Sequence, residues 1–224
     1  MAMRLRLRKP RSPFGHHRSG REPQPNAIVD CGWGRLLFAQ TFSDADSLVS
    51  EIRAENPRQR DIALYVTDPH VLIAAAPAEL FLDPSHTYRL DLATYRPHHR
   101  KPAGFRIRRM LPDADAEAVN RLYALHRMVP IEPEFFRETL GARQLTFFVA
   151  EDADSGDIVG TVMGVDHHLA FEDPDRGSSL WALAVDPQTP HPGVGGGGGC
   201  ESGRNHICCN SFSRSAFKRR MVPA

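Results

Sequence analysis

The sequence predicts a mixed α/β fold, with a mainly antiparallel sheet, flanking helices and a small α/β unit in front. Two apolar runs, 145–151 and 158–165, are separated by a tight turn, which is typical of a hairpin. Apolar residues at helical spacing precede them at 119–125. With 41% hydrophobic and 25% charged residues among 224, the composition is that of a globular protein.

Charge and cysteine usage narrow the function classes. The net charge of +1 gives no general attraction to nucleic acid or membranes. No apolar run is long enough for a membrane helix, and the basic start lacks the apolar stretch of a secretion signal. Residues 1–26 are rich in arginine and proline, so we expect a disordered lead. The four cysteines form no disulfide framework, which fits a cytoplasmic protein.

The first folded unit is predicted at 27–94. Strands are expected at 27–30 and 36–39, around a glycine-rich turn. Ser43 is the expected N-cap of a short helix with an apolar stripe. Two further strands are expected at 61–66 and 71–75, and residues 95–103, rich in His, Arg and Pro, form the predicted linker.

The second unit is predicted at 104–195, in the order strand, two helices, three strands. Alternation predicts a strand at 105–110, and acidic residues at 113–115 mark the first turn of a helix. A second short helix begins near Pro133. The hairpin 145–165 and a polar loop lead to a strand at 178–185.

After this strand the regular pattern ends abruptly. Gly193-Val194-Gly195 is placed to open a helix, whose N-terminal amides can hold a phosphate, but four more glycines follow. Such a run does not start a helix. Residues 196–224 carry neither helical nor strand period, so we expect a disordered, out-of-frame tail and a fold incomplete at its C-terminus.

The strand order, with Val185-Asp186-Pro187 before Gly193-Val194-Gly195, resembles the N-terminal two-thirds of a GNAT acetyltransferase. The resemblance implies acetyl-CoA as cofactor, with its diphosphate on the amides of Gly193, Val194 and Gly195 and with Val185 beside it. It also implies a bulged strand that offers a backbone N–H of Leu183 or Ala184 to the oxyanion. The family carries Arg or Gln where this chain has Pro190.

An amine acceptor needs a group that takes its proton. The candidates at strand ends are Glu151, Asp166, His167 and His168, and a polar loop after a strand is the alternative interpretation that these residues favour. Cys200, His206, Cys208 and Cys209 match no common zinc spacing, so no metal site is predicted.

Three segments narrow the resemblance to the N-acetylglutaminylglutamine synthetases: 30–35, 60–70 and 79–90. That family implies glutamine as the small-molecule amine, a role in osmoprotectant synthesis, and a fused ATP-grasp ligase, which this chain lacks. Because no helix can follow the glycines that would hold the diphosphate, we expect an enzyme fragment with impaired activity. The alternative is a non-catalytic interaction module or a dead fragment.

Overall fold

The computed structural model describes residues 22–83, 87–90, 103–194 and 207–210. The chain divides into two compact units, the first comprising residues up to 85 with 170–175, and the second comprising 86–169 and 176–212. The predicted lead, linker and tail lie largely outside the described residues.

The first unit is a three-stranded sheet with two helices. Its strands are β1 (Ile28–Asp30), β2 (Arg35–Phe38) and β3 (Ile62–Leu64), in that order across the sheet. Strand β2 pairs antiparallel with β1 and parallel with β3. A 3-10 turn (Ala39–Thr41), α1 (Ala45–Arg53) and α2 (Pro69–Ala75) complete the unit. As expected, the apolar stripe of α1 is buried.

Two predictions for this unit are wrong. The N-cap of α1 is Asp44, whose carboxylate accepts a hydrogen bond from the Ser47 amide at 2.7 Å; Ser43 only donates to Asp44. The segment 71–75 is helical, not a strand. Pro69 supplies the fixed φ of a first helical residue, and a short apolar run alone does not distinguish strand from helix.

The second unit is a six-stranded sheet. Its elements are β4 (Thr87–Leu90), β5 (Phe105–Arg109), α3 (Pro112–Leu125), α4 (Pro133–Thr139), β6 (Leu145–Asp152), β7 (Ile158–Asp166), α5 (His167–Phe171, whose last two residues group with the first unit), β8 (Ser178–Val185) and β9 (Ile207–Asn210). The order across the sheet is β4-β9-β8-β7-β6-β5. All neighbours are antiparallel except β8 and β9. The predicted mixed, mainly antiparallel sheet with flanking helices is confirmed.

Three features of this unit differ from the sequence prediction. Strand β4 pairs with β9 in the larger sheet, although its residues were assigned to the first unit. Strand β9 lies within the segment for which no strand is predicted. The loop after β7 contains α5. Each difference depends on partners distant in sequence or on a run too short for its period to be detected.

One face of the sheet is covered by α3 and α4. Val119, Leu122 and Tyr123 of α3 are fully buried. Phe136 of α4 meets Phe147 of β6 edge to face, with ring centroids 4.9 Å apart. These apolar contacts position the two helices against the middle strands.

An arginine links the start of α3 to the sheet. Arg108 donates to both carboxylate oxygens of buried Asp115, at 2.6 and 3.0 Å, and its Nε donates to Glu151. Asp115 also accepts from the Leu111 amide at 2.7 Å. Burial alone raises the pKa of Asp115, but the hydrogen bonds from Arg108 and Leu111 outweigh it and lower the pKa below its ordinary value.

We predict that Asp115→Asn lowers the free energy of unfolding by about 2 kcal/mol, because it removes one of the two carboxylate partners of the partly buried Arg108 and leaves Glu151 alone to balance its charge. The control is Asp113→Asn on the same turn, which removes an ion pair to Arg137 from a carboxylate whose side chain is 83% exposed. That change is expected to cost less than about 1 kcal/mol. Urea denaturation measures both, and equal losses would contradict the assigned role of Asp115.

Candidate functional site

Strand β8 carries one residue more than its partner. Thr161 pairs with Ala184 and Met163 with Trp181, so Ala182 and Leu183 lie opposite the single residue Val162. This is a β-bulge, which bends a strand and takes a backbone group out of the ladder. Ala182 adopts φ +50°, a conformation that L-residues rarely adopt, although its side chain is buried. The bulged strand implied by the resemblance is therefore present.

Strand β8 pairs with β9 over its first residues only, within the part of the chain that the structure describes. Strand β9 runs parallel to β8 and pairs with Ser178, Ser179 and Leu180. In the described part of the chain, the pairing with β9 ends at that point, one residue before Trp181 and two before the bulge. Among the described residues, the bulge therefore lies just beyond the stretch of β8 that pairs with β9.

The turn after β8 is tied down by Asp186. Its amide donates to the Val159 carbonyl at 2.8 Å, and its carboxylate accepts from the Gln188 amide at 2.9 Å. Arg121 of α3 pairs with the same carboxylate at 2.9 Å and also donates to the Ile158 carbonyl. The hydrogen bond from Arg121, with that from Gln188, lowers the pKa of Asp186. The turn therefore has a fixed shape.

A histidine at the end of α3 holds the last residue of β8. His126 Nε2 lies 2.7 Å from the Val185 carbonyl oxygen. Because a carbonyl only accepts, Nε2 carries the proton. Val185, predicted to line the cofactor site, is thus held through its backbone.

The loop then crosses to the β6–β7 hairpin. His191 Nε2 lies 2.6 Å from an oxygen of Asp152, whose pKa is lowered to about 2 by the amides of Ser155 and Asp154 and by His191 itself. Val194 is buried over Gly160, where an added Cβ would approach it to 2.7 Å. Glycine at 160 therefore leaves room for the loop.

Gly193 lies between these two anchors and faces open space. Its φ is +88°, and no atom of the described residues lies within 4 Å of where its Cβ would be. The backbone conformation, rather than packing, requires glycine here. Gly195, the third predicted diphosphate residue, lies outside the described residues.

An open groove of about 360 Å³ runs beside this turn. Asp152, Asp157 and Asp186 line it, with Arg121 as a cation. This acidic lining disfavours a diphosphate in the groove itself.

The candidate bases do not lie together. Glu151 pairs with the start of β7, whereas His167 follows its end, and eight residue steps of a strand span about 27 Å. Glu151 accepts from Arg108 and Arg106, which lower its pKa. A lowered pKa makes a carboxylate a weaker proton acceptor.

The histidine pair lies at the other end of β7. His167 is buried, with Nε2 2.8 Å from Ser179 Oγ, and the Trp181 indole donates to the same oxygen at 2.7 Å. These contacts link His167 to Trp181, the residue that precedes Ala182. In contrast, Nδ1 of His168 is buried with no hydrogen-bond partner among the described residues.

Sequence reasoning missed the residues that hold the loop, namely Arg121, His126, Asp152 and His191. Only Asp186-Pro187 gave a local signal, since aspartate before such a turn commonly accepts from a following amide. Among the described residues, no group of three or more His, Cys, Asp or Glu side chains is arranged to hold a metal ion. Likewise, none of the described helices has the length and apolar character needed to cross a bilayer.

No protein-family profile and no curated protein matches the chain. Among the solved structures that match, a GCN5-related N-acetyltransferase from Kribbella flavida is 11% identical over 87% of this chain and 86% of its own, with TM-score 0.49. One from Sphaerobacter thermophilus is 20% identical over 68% of this chain and 50% of its own, with TM-score 0.43.

A third match is an aminoglycoside acetyltransferase from an uncultured soil metagenomic sample, solved with sisomicin. It is 20% identical over 41% of this chain, with TM-score 0.34. This chain spans 62% of that enzyme and half of the Sphaerobacter protein.

The Asp152–His191 contact predicts an acid-sensitive loop. The hydrogen bonds from the Ser155 amide, His191 and the Asp154 amide lower the folded pKa of Asp152 from its ordinary 3.8 to about 2, so together they stabilise the fold fully above about pH 4 and lose their effect as the pH falls towards 2. We therefore expect Asp152→Asn to lower Tm near pH 5, with the gap closing near pH 2.

Thermal unfolding from pH 5 to 2 measures this gap. The control is Asp154→Asn, an exposed carboxylate in the same turn, which should match the parent chain throughout. A gap of constant size between pH 5 and pH 2 would rule out the titration of Asp152 as its cause.

Proposed function

We propose that the second unit binds acetyl-CoA and transfers its acetyl group to the amine of a small molecule. One observation carries this proposal: the bulge at Ala182 and Leu183 lies just beyond the point where β9 stops pairing with β8. A thioester arm that lies along β8 beyond this point presents its carbonyl to the bulged backbone.

The reaction needs a fixed donor at that point. The amine nitrogen forms a bond to the thioester carbon, the carbon–sulfur bond breaks, and the amine proton passes by way of a base to the leaving thiolate. The carbonyl oxygen carries negative charge in between, and a preorganised N–H stabilises it. We assign this role to the backbone amide of Leu183 or Ala184.

The diphosphate is assigned to the amides of Gly193 and Val194, extended by Gly195. Open space at Gly193 allows close approach of an anion. The anchors at His191 and Val194 hold the loop on either side of Gly193. The glycine run that follows is a weak scaffold, so we expect impaired cofactor binding.

For the proton acceptor we favour His167 over Glu151 and His168. An imidazole nitrogen can accept a proton, whereas Glu151 is held by two guanidinium groups that make its carboxylate a weaker proton acceptor. His167 is also linked through Ser179 to the strand that carries the bulge.

The resemblance makes the α-amino group of L-glutamine the first acceptor to test, and cytoplasmic osmoprotectant synthesis the first role. Acetyl transfer is measured as thiol release, with mass spectrometry of the acetylated product. Thiol release that needs glutamine supports this acceptor. If acetyl-CoA binds but no amine is acetylated, the enzymatic proposal fails.

Cofactor binding gives a sharper test through a matched glycine pair. Gly193 and Gly156 both have positive φ, +88° and +78°, and open space at Cβ. Alanine should therefore cost similar stability at both positions, about 1 kcal/mol. Only Gly193→Ala places a methyl group where the diphosphate is proposed to lie.

We expect acetyl-CoA to raise the Tm of the parent chain and of Gly156→Ala, and to raise that of Gly193→Ala much less. Equal rises in Tm for both variants would show that the diphosphate does not bind at this loop. No rise in any of the three proteins would instead favour a non-catalytic module.

A further inference from the structure

His126, the C-cap residue of α3, lies at the edge of β8 that faces away from β7. Gly160 of β7 is the register partner of Val185. The Asp186 amide donates to the Val159 carbonyl. In an antiparallel ladder this pattern makes Gly160 and Val185 a non-hydrogen-bonded pair, so the N–H and C=O of Val185 point away from β7. The His126 ring, 2.7 Å from that carbonyl oxygen, therefore lies along the same edge as β9.

The second nitrogen of this ring is exposed to a ligand. Nε2 donates to the Val185 carbonyl, so the lone pair of the neutral ring is on Nδ1. Within the described residues Nδ1 has no hydrogen-bond partner, and the side chain is exposed. Asp186 is close enough to interact electrostatically with the ring, but its carboxylate is bound by Arg121 at 2.9 Å. Nδ1 can therefore exchange a proton with a group that lies along this edge.

The proposed placement of acetyl-CoA brings its sulfur towards Val185. The acetyl carbonyl is assigned to the bulged backbone and the diphosphate to Gly193. The sulfur lies between these two groups in the cofactor, so it follows the carbonyl in the direction of Val185, about 7 Å from Leu183 along the strand. In contrast, His167 contacts Ser179, which precedes the bulge, so it lies on the other side of the carbonyl.

We infer that His126 protonates the sulfur of CoA as it leaves. This inference rests on the proposed acetyl transfer and adds a second proton-transfer group to it. When the carbon–sulfur bond breaks, its electron pair stays on sulfur, and the imidazolium form of His126 transfers the Nδ1 proton to it. The neutral ring then regains a proton from water, while the base that took the amine proton releases one to water. Protons and charge therefore balance, and the net transfer from amine to sulfur is the one proposed above.

Glutamine at position 126 separates this role from a structural one. Its side-chain N–H can take the place of Nε2–H and hold the Val185 carbonyl, but it has no proton to transfer to sulfur. We expect His126→Gln to lower kcat about a hundredfold, with KM for acetyl-CoA within about twofold. The control is His70→Gln, at an exposed histidine of the first unit, which should match the parent chain. Parental kcat in His126→Gln would overturn the inference.

The direct test observes the ring by NMR in the full ¹⁵N-labelled chain. The Nδ1 signal of His126 is assigned with His126→Gln, and the parent chain is titrated with CoA and with desulfo-CoA, in which hydrogen replaces the thiol. We expect both ligands to shift the Gly193 amide, and CoA to shift the His126 signal much more than desulfo-CoA does.

Two results would overturn the inference while leaving cofactor binding intact. In the first, the Gly193 amide shifts but the His126 signal does not. In the second, CoA and desulfo-CoA shift the His126 signal equally. No shift at either residue with either ligand would overturn both the inference and the proposed cofactor site.

Discussion

The extra residue in β8 is the constraint on which the candidate site depends. Ala182 holds a left-handed conformation in a buried strand, which costs about 1–2 kcal/mol relative to a regular strand. Such a conformation persists only when surrounding contacts over-determine it. Moving the register by one residue would turn every later side chain to the opposite face, so both ends of the strand must be held.

Contacts on either side of the bulge provide that restraint. Before it, Trp181 and His167 converge on Ser179 Oγ in the interior. After it, His126 holds the Val185 carbonyl and Arg121 holds Asp186. These polar contacts stand in for the ladder hydrogen bonds that the bulge disrupts. They also hold α3 against the end of β8.

The same contacts connect the strand to the loop that follows. Asp186 starts the loop, and His191 and Val194 return it to the β6–β7 hairpin. Gly193 is thus presented to open space between two fixed points. The proposed oxyanion and diphosphate positions therefore lie on one continuous segment that follows the bulge.

Most of the second unit could be predicted from local patterns. Pro112 and Pro133 begin their helices, and the hairpin 145–165 follows from alternation and turn residues. The position of the bulge was implied by resemblance alone, because Ala182 is not a glycine and gives no sign of a positive φ. The pairs Arg121–Asp186 and Asp152–His191 join residues far apart in sequence, so no local pattern reveals them.

Local patterns fail to predict the structure of two short segments, residues 71–75 in the first unit and strand β4 in the second. Residues 71–75 are apolar and β-branched enough for a strand, yet Pro69 and the burial of Leu72 on one face select a helix. Strand β4 is placed by its partner β9, whose own sequence carries no strand period. In both places tertiary contacts override local preference.

The most direct measurement follows the backbone amides of Leu183 and Ala184 in ¹⁵N-labelled protein during titration with acetyl-CoA and, separately, with CoA. If the bulge receives the thioester carbonyl, one of these two signals shifts with acetyl-CoA and shifts markedly less with CoA. Signals at Leu183 and Ala184 that stay in place while acetyl-CoA binds elsewhere would contradict the central role of the bulge.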